Sequence, residues 1–102
     1  MKLLFSSVFE SDLAEISAHL ANAAAAEIAV RWESAVVALL GQLEKWPELG
    51  RARRDLHPAG IRSLGLPEFP NYLVFYRVQG EEICLLRIRY GGMNLPGLFP
   101  GD

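Results

Sequence analysis

"YLVFYRVQGEEICLLRIRYGG", Tyr72 to Gly92, reads as two apolar strands around a polar turn. Val, Ile, Leu, Tyr and Phe fill both arms, and Gln79-Gly80-Glu81 separates them. Successive side chains of a strand point to opposite faces. With a three-residue loop at Gln79-Gly80-Glu81, Val78 opposes Glu82. One face then carries Tyr72, Val74, Tyr76, Val78, Cys84, Leu86, Ile88 and Tyr90. The other carries Leu73, Phe75, Arg77, Ile83, Leu85, Arg87 and Arg89. This register gathers the three hairpin arginines on one face; a two-residue turn would send Arg77 to the face opposite Arg87 and Arg89. The expected sheet has one clean core face. Its second face is apolar near one end and cationic near the other, a surface that another chain could cover.

Upstream of the hairpin, "IRSLGL" reads as a strand and "PEFPN" as a turn. "PELGRARRDLHPAG" carries two prolines and two glycines and reads as a loop. The long segment "AAAAEIAVRWESAVVALLGQLEKW" repeats Ile28, Trp32, Ala35 or Val36, Leu39, Leu43 and Trp46 at helical spacing, and Pro47 ends it. Both tryptophans fall on that apolar stripe. Before it, Ser11 or Asp12 opens a first helix, with Asp12 and Glu15 at capping-box spacing. Phe9, Leu13, Ile16 and Leu20 line one of its faces, and Asn22 interrupts it. "KLLFS" forms a short first strand or arm. The order is strand, helix, helix, then a three-stranded antiparallel meander. That is an α+β fold with a helical hairpin packed on a small antiparallel sheet. Residues 1–95 form one domain, and 96–102, rich in Gly and Pro, form an irregular tail.

The bulk properties bound the function. The chain has 102 residues, 51% of them apolar, which supports a core without staples. Cys84 is the lone cysteine, so no internal disulfide exists and a reducing cytoplasm fits. No apolar run approaches the roughly 18 residues a bilayer span needs. The net charge of −2 argues against general nucleic-acid binding, and no sequence-specific DNA contact is expected of this chain alone. The balance is −3 over residues 1–46 and +1 over residues 47–102. Between Arg51 and Arg62 it is +3, with Arg51, Arg53, Arg54 and Arg62 against Asp55. An anionic partner would dock on the second half.

The motifs "SDLAEISAHL", "LEKWPELGRARRDL", "GIRSL", "YLVFYRV" and "EICLLRIRYGG", in this order and at these intervals, resemble the RelE/ParE toxins of bacterial toxin–antitoxin and plasmid-stabilisation systems. The resemblance covers Lys2 to Leu95. It implies two N-terminal helices on an antiparallel sheet and a cognate antitoxin whose C-terminal segment wraps the toxin. RelE-like members cut mRNA on the ribosome with basic and tyrosyl side chains. ParE-like members lack that cluster and poison DNA gyrase. Carried over residue by residue, the first basic position of the ribonucleases matches Arg62. The next falls on Leu64 and a third on Leu73. The motif His-Gly-x-Arg-Asp reads Tyr90-Gly91-Gly92-Met93-Asn94 here. The ParE-like reading is therefore preferred. A RelE-like nuclease with an altered site and a decayed toxin that only binds antitoxin stand as alternatives.

The chemistry points the same way. Cleavage through the 2′-hydroxyl needs a base, an acid and cations for the developing charge. Tyr90 titrates near 10 unless shifted, and Arg62 steadies a phosphate but does not shuttle protons. These two are the only catalytic candidates. His19, His57 and Cys84 offer no metal-ligand spacing, no phosphate loop is present, and Ser63 lacks a His partner, so no cofactor is expected. The expected antitoxin- or target-binding residues are Arg62, Leu73, Phe75, Arg77, Arg87, Arg89 and Tyr90. Arg51, Arg53 and Arg54 form a basic loop read as solvated more readily than as a docking site.

Overall fold

The computed structural model describes residues 1–91. Gly92, Met93, Asn94 and the tail 96–102 lie outside the described residues. The elements run β1 (Lys2–Phe5), α1 (Ser7–Ala23), α2 (Ala26–Lys45), β2 (Arg51–Ala52), β3 (Ile61–Gly65), β4 (Tyr72–Gln79) and β5 (Glu82–Tyr90). Two helices pack on a five-stranded sheet of order β1-β5-β4-β3-β2, an α+β fold. The sheet is mixed, which corrects the antiparallel expectation: β1 pairs parallel to β5, with Lys2 opposite Glu82 and Phe5 opposite Leu85. The other pairs are antiparallel. The chain between these two parallel strands is long: both helices carry it from β1 to β2 at the far edge, and β3 and β4 bring it back to β5.

Helix α1 starts earlier than expected. Ser6, not Ser11 or Asp12, is its N-cap: the Ser6 hydroxyl accepts from the Phe9 N–H at 2.9 Å. The same hydroxyl donates to the Leu86 carbonyl of β5, and the Ser6 N–H donates to Leu85. One residue thus ends β1, begins α1 and ties both to β5. The break between the helices falls at Ala24–Ala25 rather than at Asn22. The apolar stripe of α1 ends at Leu20, and an alanine run carries no side-chain signal for where the chain reverses. α2 ends before Pro47, as expected.

The helix-side core contains Phe9, Ile16, Trp32, Val36, Leu39 and Leu43 against Val74, Tyr76, Ile83, Leu85 and Ile88. Trp32 is fully buried, with Tyr72 edge-on at 5.8 Å. Trp46 departs from its expected core place. It stands one residue beyond the last helical turn and is 54% exposed.

The β4–β5 hairpin corrects the expected register. Its turn has two residues: Gln79 pairs with Glu82, and Gly80 takes the left-handed conformation at φ 60°. Tyr76 then pairs with Leu85, but Phe75 pairs with Arg87. Leu86 is the extra residue of a bulge, and the bulge restores the alternation that the short turn shifted. Ile83 and Leu85 therefore lie in the helix-side core, and Leu86 packs on the opposite face with Phe75. Cys84, opposite Arg77, leaves the core face as well.

That opposite face is not bare. Leu56 and Ile61 cover Phe75 in a second apolar cluster, with Leu73 and Leu86 packed against it. Trp32→Ala should destabilise the fold by about 3–5 kcal/mol, as a cavity beneath both helices and sheet would remain. Urea denaturation checks this; an unchanged midpoint would place Trp32 outside the core.

Candidate functional site

β1 ends at Phe5, so the outer edge of β5 beyond Leu85 has no strand beside it. α1 crosses that edge and presents Asp12, a buried carboxylate on its apolar face. Asp12 accepts from the Ile88 N–H at 3.1 Å, from Arg87 Nε at 2.8 Å and Nη2 at 3.0 Å, and from Arg89 Nη1 at 3.2 Å. Arg89 also reaches Glu15 at 3.2 Å. One carboxylate therefore caps an N–H of the strand edge and pairs with two guanidinium groups, and Glu15 supplies the second negative charge. The bidentate geometry with Arg87 is the strong form of such a pair.

The other arginines divide by what they touch. Arg53, expected in a solvated loop, is buried. It donates to both oxygens of Asp55 and to Ser63, and its guanidinium sits 5.8 Å from the Phe75 ring centre. That hydrogen bonding lowers the Asp55 carboxyl to about 2 and raises Arg53. The Arg53 N–H also pairs with Ile61, so this residue folds the 53–60 loop under the sheet and seats Leu56 on Phe75. Arg62 donates to the Gly50 carbonyl at 2.6 Å and the Glu48 carbonyl at 3.4 Å. Beside it the Tyr76 hydroxyl donates to Pro47 and accepts from the Gly50 N–H, both at 2.8 Å. Burial pushes the Tyr76 phenol up, partly offset by the Gly50 hydrogen bond. Gly50 is required there, since an added Cβ would stand 2.7 Å from the Tyr76 hydroxyl. Arg51, Arg54 and Arg77 make no ion pair among the described residues; Arg51 and Arg54 are exposed and Arg77 half-buried.

The expected binding face is thus rearranged. Phe75 is fully buried, with Leu56 of the 53–60 loop and Ile61 packed on it. Leu73 is half-buried against the same cluster. Arg87 and Arg89 are turned to α1, and Arg62 is turned to the loop after α2. Tyr90 is 47% exposed and stacks edge-on with Tyr72 at 5.4 Å.

The two catalytic candidates do not meet. Arg62 pairs with Tyr76 and Tyr90 with Tyr72, four residues further along β4, a separation of about 13 Å along the strand. Leu64 packs on the helix-side core and Leu73 on the opposite cluster, so the carried-over positions fall on different faces. Among the described residues no cluster of His, Cys, Asp and Glu could hold a metal, and no helix is long and apolar enough to cross a membrane. Asp12 was missed as a site residue. Its signal was present: it shares the apolar face of Phe9 and Ile16, where a carboxylate requires a cation.

The architecture is a two-helix hairpin on a small mixed sheet, with the β5 cations engaged by carboxylates of α1. The model for the ParE toxin of type II toxin–antitoxin systems, parDE, matches residues 3–95, so the chain belongs to this family. Toxin ParE3 of Caulobacter vibrioides is 43% identical over 54 residues, a match spanning 53% of this chain and 50% of that protein. The chain thus covers about half the length of that curated relative. A solved chain titled as the chromosomal ParDE TA system from P. aeruginosa superposes with a TM-score of 0.74 at 27% identity, covering 88% of this chain and 95% of that one.

Asp12→Ala should cost about 3–5 kcal/mol, because it removes a buried carboxylate that accepts from Arg87, Arg89 and the Ile88 N–H at once. Glu15→Ala, whose carboxylate is largely exposed, should stay within about 1 kcal/mol. Urea midpoints of the two variants check the contrast.

Proposed function

We propose that this chain is a ParE-type toxin that inhibits its target by binding, that the target is DNA gyrase, and that a cognate antitoxin neutralises it in the cytoplasm. The observation that carries this reading is the fate of its cations. Arg62, Arg87 and Arg89 are engaged by backbone carbonyls or carboxylates, and Arg62 lies far from Tyr90 along the sheet. Ribonuclease chemistry needs cations and a proton donor converging on one phosphate. Tight packing around these groups suits a rigid inhibitor instead. The gyrase target comes from the family resemblance, which favours ParE-like over RelE-like chemistry at Leu64, Leu73, Tyr90 and Met93.

The test is induced expression of the chain alone, with plasmid supercoiling and mRNA integrity followed together. The expected outcome is arrested growth and loss of negative supercoiling with intact mRNA. Tyr90→Phe should leave that arrest largely unchanged, since it removes only an exposed hydroxyl. Cut mRNA, or a folded Tyr90→Phe protein without toxicity, would return the reading to a nuclease. Growth unaffected by the folded wild-type chain would favour a decayed toxin that only binds antitoxin.

A further inference from the structure

A groove of about 1100 Å³ crosses the end of the sheet remote from Tyr90. Its walls are the start of β1, the segment after α2, the 52–62 region and the β4–β5 turn. Four large apolar side chains that line it are exposed: Met1, Trp46, Leu49 and Val78. They converge from three separate parts of the chain, whereas Val30 and Val37 lie exposed on α2 away from the groove. Buried Leu56 and Ile61 contribute to the lining. The charge at the groove is positive. Arg54 is exposed and Arg62 half-exposed, with Glu48 opposing them and Arg53 already neutralised by Asp55. Arg51 is exposed beside Ala52 of the lining.

We propose that this groove receives an acidic segment of the antitoxin that carries apolar anchors. The inference rests on the antitoxin reading above and adds where the antitoxin docks. Charge complementarity selects the occupant. A partner bearing carboxylates would pair with Arg54, and Arg's planar fork takes them in a bidentate way. Apolar side chains on the same segment would cover Trp46, Leu49 and Val78, and an exposed aromatic in one groove with the exposed Arg54 is the composition of a binding anchor. A nucleic-acid backbone would satisfy Arg54 but offer nothing to Leu49 and Val78, and it would meet Glu48. The arginines of β5, engaged by Asp12, contribute no free charge of this kind.

The sequence has two tryptophans, and their environments make a built-in reporter. Trp32 is fully buried and Trp46 is open in the groove, so iodide should quench Trp46 alone. The probe is the full antitoxin recovered as the protein whose co-expression restores growth to cells making this chain. Expected is loss of the iodide-accessible component on adding that antitoxin. Leu49→Glu/Arg54→Glu should weaken binding by about tenfold or more, and Val30→Glu/Val37→Glu should change it by less than about twofold. Circular dichroism and the Trp32 emission confirm that each variant is folded.

Tight binding with Trp46 still quenchable would overturn the groove assignment and leave the antitoxin reading standing. An unweakened Leu49→Glu/Arg54→Glu variant would do the same. Protection of Trp46 by self-association at high concentration, or by a short DNA duplex without antitoxin, would also overturn the assignment. Failure of the wild-type chain to bind any such antitoxin would defeat the antitoxin reading itself, and this inference with it.

Discussion

The carboxylate of Asp12 is the point on which the helical layer and the sheet agree. It caps an N–H of the β5 edge that β1 leaves open and pairs with both guanidinium groups of that strand. A sheet edge with free N–H groups invites another strand, and a buried carboxylate without cations beside it would be costly. Both demands are met at one helical position. Its place depends on Ser6, which fixes where α1 begins relative to β5. A shift of α1 by one residue would rotate Asp12 off the edge by about 100°. The cap and the buried ion cluster therefore define one register between helix and strand.

A second anchor works at the other end of the sheet. Tyr76 and Arg62 hold the backbone of residues 47–50, and Arg53 holds the loop that follows. These polar contacts spend side chains that a sequence reader would assign to solvent or to a partner. They leave Trp46 and Leu49 at the surface, because the backbone carrying them is pinned in place while no side chain covers them. The distribution of free and engaged cations follows from this. Acceptors within the fold engage Arg53, Arg62, Arg87 and Arg89, while Arg51 of β2 and Arg54 of the following loop stay exposed.

Much of the fold was legible in the sequence. The apolar periodicity of α2, the stop at Pro47 and the strands β3, β4 and β5 follow from local pattern and turn chemistry. The bulge did not, because a three-residue turn and a two-residue turn with a bulge at Leu86 both place Phe75, Arg77, Arg87 and Arg89 on one face. Only tertiary packing decides between them: Ile83 and Leu85 fill the core beneath the helices, where Cys84 and Leu86 had been expected. The parallel pairing of β1 was equally invisible, since four residues carry no sign of their partner. At the candidate site, the internal engagements of the arginines were not legible in the sequence. Arg53 in "RARRDLHPAG" looks like a solvated cation until Asp55, two residues on, folds back on it. Asp12 looks like a capping residue until its place among Phe9 and Ile16 is weighed.

The central claim is that the β5 arginines and Arg53 are held by carboxylates of the fold while Arg51 and Arg54 stand exposed. The most direct measurement is hydrogen exchange of the arginine Nε–H groups, resolved by nitrogen-15 NMR. Arg87 and Arg53, whose Nε–H groups donate to Asp12 and Asp55, should give protected signals, and Arg51 and Arg54 should exchange rapidly. The Arg87 signal should lose its protection in Asp12→Asn while that of Arg53 persists. Exchange of Arg87 as fast as that of Arg54 in the wild-type chain would contradict the account.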